Sequence, residues 1–482
     1  MADQLPDVLP RINVLAQEQI EYIHAQSLEI LSSVGVRVDS ARARDIFVKA
    51  GCKSNSDNIV NIPADLVAGA LQSAPSFVDI YNRLGQHAFR LGGLPKSPTR
   101  FGVGVTNLYY QDPTTDMVEP FTRKHMEISA RLSQSLSYFD FVSTIGILQD
   151  ISPKIADLYG SLEMTANTIK PLVLLVSEEQ DFPAVLDLVE HLTGEMSTQP
   201  FAIPYLNPLS PLILNEGTTD KMVTAIERGL PIIFSNYGMS GASTPITAAG
   251  TIALQNAELL AGLVFSQLVK EGTPIILGSF PATFDMKDMV NRYTPQSLVL
   301  NLACAELMAF YGLPHCGTSA NGNGWGADLF ASDLHWMNHL TSCLGKVGLA
   351  PFVGGSFFSV VFSPAILVYA NEVIRKVRIF EKGFSLMDDS GILEEIKSAG
   401  PGGNFLTAES TIKNCRKLPQ DDVVWPHIRL EKWQSRGCPK AEEFLRQYTA
   451  QIMENMSAPE DHDELIEKGE RFIDQLRSVR KP

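Results

Sequence analysis

Between Pro171 and Ser356 the chain repeats one short pattern six times: a proline, a run of apolar residues, then a small, polar or aromatic tip. The copies read PLVLLVS, PFAIPYLNP, PIIFSNYG, PIILGSFP, PHCGTSANG and PFVGGS, starting at Pro171, Pro200, Pro231, Pro274, Pro314 and Pro351. Each is too short and too evenly apolar for an amphipathic helix, which is the pattern of a strand buried on both faces in a parallel sheet. The starts lie 29 to 43 residues apart, room for one helix per repeat, and that cadence belongs to a barrel or a doubly wound sheet.

Two more strands precede the repeats, in FGVGVTNLYYQDP from Phe101 and FDFVSTIGIL from Phe139. Helical spacing is predicted around Arg123 to Leu136 and over Asp157–Asn167, Phe182–Leu192, Asp220–Arg228, Ala249–Lys270, Thr294–Tyr311, Asp328–Leu344 and Pro364–Phe380. Eight strands alternating with helices over about 280 residues predict an α/β fold, a (β/α)8 TIM barrel. No strand leads into a G-x-G-x-x-G turn and helix, which counts against the doubly wound alternative. The barrel is placed in residues 96–387. A helical extension precedes it in 1–95, and a helical tail follows in 388–482. The end of that tail reads as an amphipathic helix facing solvent or another subunit, so a homo-oligomer is expected.

Composition narrows the function. The net charge of −15 over 482 residues argues against binding nucleic acid or an anionic membrane, and is compatible with a cationic small substrate. The apolar run Val347 to Ala370 is broken by Pro351, Gly354, Gly355 and Pro364 and predicts no membrane span. No basic start followed by an apolar core opens the chain. The six cysteines form no C-x-x-C pair, so neither a leader nor a disulfide framework is expected and the cytoplasm is the expected compartment.

In such a barrel the active site lies at the carboxyl ends of the strands. The tips there carry Asn107, Tyr109, Tyr110, Ser177, Tyr205, Asn207, Ser235, Asn236, Tyr237, Ser279, Phe280, Phe284, Ser319, Asn321, Asn323, Trp325, Ser356, Phe357 and Phe358. They are rich in aromatic and neutral polar groups and poor in charge. No tip offers a carboxylate pair, a Schiff-base lysine or a nucleophile elbow. Aromatic walls without charge suit a soft cation such as a quaternary ammonium, because ring quadrupoles attract it. The loop NGNGWG from Asn321 has the glycines of a phosphate cradle but no Lys or Arg, so it is read as a flexible frame to the pocket. His335, His339 and Cys343 recur every four residues on one predicted helix, a spacing zinc would accept. The helical wheel also sets the two histidines roughly opposite the arc of Phe330, Leu334, Met337, Leu340 and Leu344, as a surface or subunit-contact face would be. His335, near the start of that helix, is also a candidate partner for an anionic substrate group.

Several long passages carry a family likeness: ILSSVGVRVDS, IPADLVAGALQSAP with VDIYNR, GVTNLYYQDPTTDMVEPFT, PLSPLILNEGTTDKMVTAIERGLPIIFSNYGMSGASTPIT, and GTPIILGSFPATFDM with LPHCGTS. Over about Leu28 to Asn414 the chain resembles the trimethylamine methyltransferase family, in its non-pyrrolysine branch. The resemblance implies a (β/α)8 barrel that moves a methyl group from an amine to the cobalt of a corrinoid protein. The corrinoid (cobalamin) would come with that partner, and no cofactor would be bound tightly. The founding branch carries pyrrolysine after the seventh strand, whereas Gly317 to Leu329 here holds standard residues only. Related pyrrolysine-free proteins use glycine betaine, proline betaine, carnitine or butyrobetaine. The expected substrate is therefore a quaternary amine of the betaine class. Tyr110, Tyr205, Tyr237, Phe284, Trp325, Phe357 and Phe358 are the expected cage, and His335, Asn236 and Asn321 are expected to hold a substrate carboxylate or hydroxyl. No residue is assigned a catalytic role beyond positioning, and no metal is expected. The alternatives are a zinc-dependent corrinoid methyltransferase using His335, His339 and Cys343, and a betaine-binding sensor.

Overall fold

The structure, a computed structural model, describes residues 7–93, 97–177, 179–318, 322–386, 391–415 and 423–479. Eight parallel strands close into a barrel: β1 (Arg100–Val103), β2 (Phe141–Ser143), β3 (Leu172–Leu174), β4 (Ala202–Leu206), β5 (Ile232–Ser240), β6 (Ile275–Asp285), β7 (His315–Cys316) and β8 (Leu349–Val353). They follow one another in chain order around the ring, and β8 pairs with β1. After each strand comes its helix: α1 (Arg123–Ser135), α2 (Pro153–Asn167), α3 (Phe182–Thr193), α4 (Glu216–Glu227), α5 (Ala248–Val269), α6 (Pro295–Phe310), α7 (Leu329–Gly345) and α8 (Pro364–Glu381). The predicted barrel and its cadence are therefore present. Local chemistry sets the starts of the helices. Side chains of Thr122, Thr247, Thr294 and Asp328 accept backbone N–H groups at the starts of α1, α5, α6 and α7, while α2, α3, α6 and α8 begin with proline at or next to their first position.

Alternation along the strands sorts side chains between two cores. Ile203, Ile233, Ile276 and Leu349 point into the barrel with Phe141 and Val173, while Ala202, Ile232, Phe234, Ile275 and Leu277 point at the helices. The barrel floor is closed by the hairpin Phe77–Tyr81/His87–Gly92, whose Val78, Ile80, Phe89 and Leu91 join the inner cluster. The head, expected to be helical with one short strand over Phe77–Tyr81, has that strand and further ones beside it. Val36–Val38 pairs antiparallel with Ile59–Asn61 and parallel with Ile213–Leu214 in the segment after β4.

Helix α5 is long and apolar enough to cross a membrane by composition, yet 83% of its most apolar window is buried. It lies between β5 and the head helices Gln17–Glu29 and Ala64–Ser73. Its close approach to the sheet depends on Gly262, where an added Cβ would sit 2.1 Å from the Phe234 ring. Gly262→Ala is expected to destabilise the fold by about 1–3 kcal/mol, as overpacking of a rigid aromatic core does. A urea titration that leaves the midpoint unmoved would contradict this packing.

The end of the tail does not keep its apolar face for solvent or for another subunit. In the final helix His462–Val479, Leu465 and Ile473 are buried against α2 and α3. Ion pairs fasten this end of the chain: Asp461, just before the helix, to Arg83 in the turn of the floor hairpin, and Glu470 to Arg123 of α1 (2.9 Å). All six cysteines are free thiols.

Candidate functional site

At the carboxyl end of the barrel the strands enclose a cavity of 240 Å³. Five aromatic rings line it: Tyr205 from β4, Tyr237 from β5, Phe280 from β6, Phe352 from β8, and Tyr293 just beyond the hairpin formed by β6 and Val290–Arg292. Ring centroids stand 5.2 Å apart for Tyr205–Phe352, 5.4 Å for Phe280–Phe352, 6.5 Å for Tyr205–Phe280 and 6.5 Å for Tyr237–Tyr293. Val105, Leu175, Asn207, Asn291, Thr318 and Ser359 complete the wall. No charged side chain is among the described lining residues.

The polar groups of the cavity are neutral and held. The Tyr205 hydroxyl pairs with Ser235 Oγ at 2.8 Å. Asn291 Nδ2 donates to the Tyr237 hydroxyl. Burial pushes the phenols of Tyr205, Tyr237 and Tyr293 above their ordinary values, so they stay protonated near neutral pH. Cys316, on the wall below, is likewise raised by burial and stays a thiol rather than a nucleophile. Such a site can bind and orient a cation; its described lining residues hold no acid–base pair.

Of the cage expected from sequence, Tyr205 and Tyr237 meet in this cavity; the rest stand elsewhere. Tyr110 lies in a small sheet at the mouth and stacks flat on His125, with centroids 4.1 Å apart. Phe284 is four residues beyond Phe280, about 13 Å further along the strand, paired with Asn291 in the hairpin. Trp325 is 67% exposed. Phe357 and Phe358 sit in a turn of three left-handed residues (φ 49°, 59° and 68°), where Ser359 is the one that lines the cavity. Asn236 points outward to α5, donating to the Gln255 carbonyl and to Glu258 Oε2, each at 2.8 Å. Asn321 lies outside the described residues, as does Ser319. The rest of the glycine loop is tied down by bonds from Trp325 N–H to Asp328 and from Gln111 to the Trp325 carbonyl.

His335 is a further correction. His335, His339 and Cys343, expected on a surface face of α7, are buried against the barrel, while of the arc opposite them Phe330 and Met337 are exposed and Leu334 and Leu344 are buried. Among the described residues no group of three His, Cys, Asp or Glu is placed to hold a metal, which argues against the zinc alternative. His335 Nδ1 lies 3.3 Å from His339 Nε2, and the His339 ring meets Phe101 edge-on. Neither histidine lines the cavity.

Sequence reasoning missed Phe352, Tyr293 and Asn291 and passed over Phe280. Phe280 shares the inward parity of Ile276 two steps earlier, a signal that was readable. Phe352 turns inward only because the β8–β1 register shifts between Ala350 and Val353, so a bulge re-aims it. Tyr293 and Asn291 reach the cavity through a hairpin that no strand-end rule locates.

The chain is 28% identical over 456 residues to the trimethylamine methyltransferase MttB of Desulfitobacterium hafniense (strain DSM 10664 / DCB-2), covering 94% of this chain and 91% of that one. It is 26% identical over 475 residues to MttB of Methanosarcina barkeri (strain Fusaro / DSM 804), covering 96% and 95%. A glycine betaine methyltransferase of Desulfitobacterium hafniense (strain Y51) matches at 24% over 476 residues, covering 97% and 98%. Among solved structures, the monomethylamine methyltransferase MtmB of Methanosarcina barkeri aligns over 92% of this chain and 93% of its own, with a TM-score of 0.49 and 10% identity. The family model for trimethylamine methyltransferase (MTTB) matches residues 1–479, and the chain belongs to that methyltransferase family.

Proposed function

We propose that the protein transfers a methyl group from a quaternary amine of the betaine class to the Co(I) of a corrinoid protein. The observation that carries this reading is the neutral cavity walled by Tyr205, Tyr237, Phe280, Tyr293 and Phe352. A desolvated quaternary ammonium gains up to about 2 kcal/mol from each well-placed ring face, and no carboxylate is needed to hold it. The relative named glycine betaine methyltransferase and the standard residues of Gly317 to Leu329 favour a betaine over trimethylamine.

The chemistry asks little else of the side chains. A quaternary nitrogen keeps the C–N bonding electrons when a methyl departs and leaves as a neutral tertiary amine, so no general acid is required. A cavity of 240 Å³ admits a small amine and not a corrin ring, so the corrinoid must be presented from outside the mouth, where it supplies the nucleophile. Tyr205, Phe280 and Phe352 hold the ammonium from the buried side, and Tyr237 and Tyr293 close over it. The cage thus fixes the direction in which one methyl points and excludes water from the reacting centre.

The test is incubation of the purified protein with a Co(I) corrinoid protein and, separately, glycine betaine, proline betaine, carnitine, γ-butyrobetaine and trimethylamine. Mass spectrometry of the amine products is expected to show loss of one methyl from a betaine and none from trimethylamine. Consumption of trimethylamine alone would refute the betaine reading. Betaine binding without demethylation would assign a sensor instead.

A further inference from the structure

Beside the aromatic cage lies a second chamber of 300 Å³, which shares Leu175, Tyr205 and Asn207 with it. The rest of its wall has different chemistry. Thr106, Ser177 and Thr218 bring hydroxyls, and Lys221 brings the one charged side chain among the described lining residues. Lys221 and Thr218 stand one helical turn apart on α4 and so share a face. Lys221 Nζ donates to the Val176 carbonyl at 2.9 Å, which fixes the ammonium just past the end of β3. Thr218 Oγ1 donates to the Asn207 carbonyl at 2.5 Å, which ties that helix face to the residue the two chambers share.

We propose that this second chamber receives the carboxylate of the substrate, with Lys221 as the specificity-determining cation. The proposal rests on the cage reading above and extends it to a substrate class: trimethylammonium carboxylates whose tail passes Leu175, Tyr205 and Asn207. The two chambers sort the two ends of such a molecule. Aromatic faces carry negative potential and repel a carboxylate, while the Lys221 ammonium repels the quaternary head and attracts the acid. The methyl groups are thereby kept in the cage and the tail out of it. A lysine on an elongated stem suits this task, since it recognises an anion as a point charge and tolerates tails of different shape.

Calorimetry with γ-butyrobetaine and with pentyltrimethylammonium, which keeps the head and lacks the acid, tests the subsite. Lys221→Gln is expected to weaken γ-butyrobetaine binding roughly tenfold, as loss of one charge-assisted contact does, and to leave pentyltrimethylammonium unchanged. Lys221→Arg, which keeps the cation, should bind γ-butyrobetaine far better than Lys221→Gln does. If Lys221→Gln does not fold, added NaCl provides the same test on the wild type by weakening γ-butyrobetaine binding alone. Equal weakening of both ligands, or of neither, overturns the subsite and leaves the cage standing. A wild-type protein that binds no pentyltrimethylammonium overturns the cage reading, and the subsite falls with it.

Discussion

Tyr237→Ala is expected to lower kcat/KM for the betaine roughly a hundredfold. Its ring forms one wall of the cage, and a desolvated cation–π contact accounts for up to about 2 kcal/mol of that. The remainder comes from water entering where the ring stood and from Asn291 and Tyr293 losing the partner that holds them over the cavity. Tyr237→Phe keeps the ring and should remain within roughly threefold of wild type, since only neutral hydrogen bonds, with Asn291 and Tyr293, are lost. Trp325→Ala, which alters an exposed residue outside the cavity, should leave amine binding unchanged. Steady-state rates at one fixed, sub-inhibitory acceptor concentration, together with calorimetry of the amine, separate these cases. A Tyr237→Ala enzyme within threefold of wild type would refute the cage.

The second large effect concerns stability in acid. Burial pushes His335 down to about 4 and holds His339 well below its ordinary value, with His335 and Arg378 adding repulsion to the latter. Between about pH 4 and the unfolded value near 6.5, the unfolded chain binds protons that the native pair does not. Stability is therefore complete above about pH 6.5 and falls as pH drops through this window, by roughly 3 kcal/mol at pH 4 for His335 alone. His335→Gln removes one titrating group and should flatten the fall. Urea midpoints at pH 7.5, 6 and 5 for both proteins measure it, and parallel losses in the two would show that this histidine does not carry the effect.

The barrel was legible because buried parallel strands leave a dense apolar signature and helices a periodic one. The site was legible only in chemical character: neutral and aromatic. Tyr205 and Tyr237 were found because they lie on the inward parity of regular strands. Asn236, one residue from Tyr237, was misassigned for the same reason in reverse, since a step of one residue sends a side chain through the sheet to α5. Phe352 depends on a bulge and Tyr293 on a hairpin, and neither leaves a mark in the pattern of apolar residues. His335 was misplaced because α7 is covered on more than one side: it buries Leu334 and Leu344 and its histidine face as well, leaving only Phe330, Trp336 and Met337 exposed among its large apolar residues after the first.

The hairpin Phe77–Gly92 makes the barrel a vessel with one door. Whatever approaches the cage must arrive through the carboxyl-end opening, because Val78, Ile80, Phe89 and Leu91 stopper the other. The corrinoid acceptor proposed above, too large to enter, would have to cap that doorway during transfer. The amine must then be first in and last out, and traffic through the enzyme is ordered by architecture alone. At high amine concentration a fresh amine would re-enter as soon as the doorway cleared, whereas excess acceptor would seal an empty vessel and inhibit turnover.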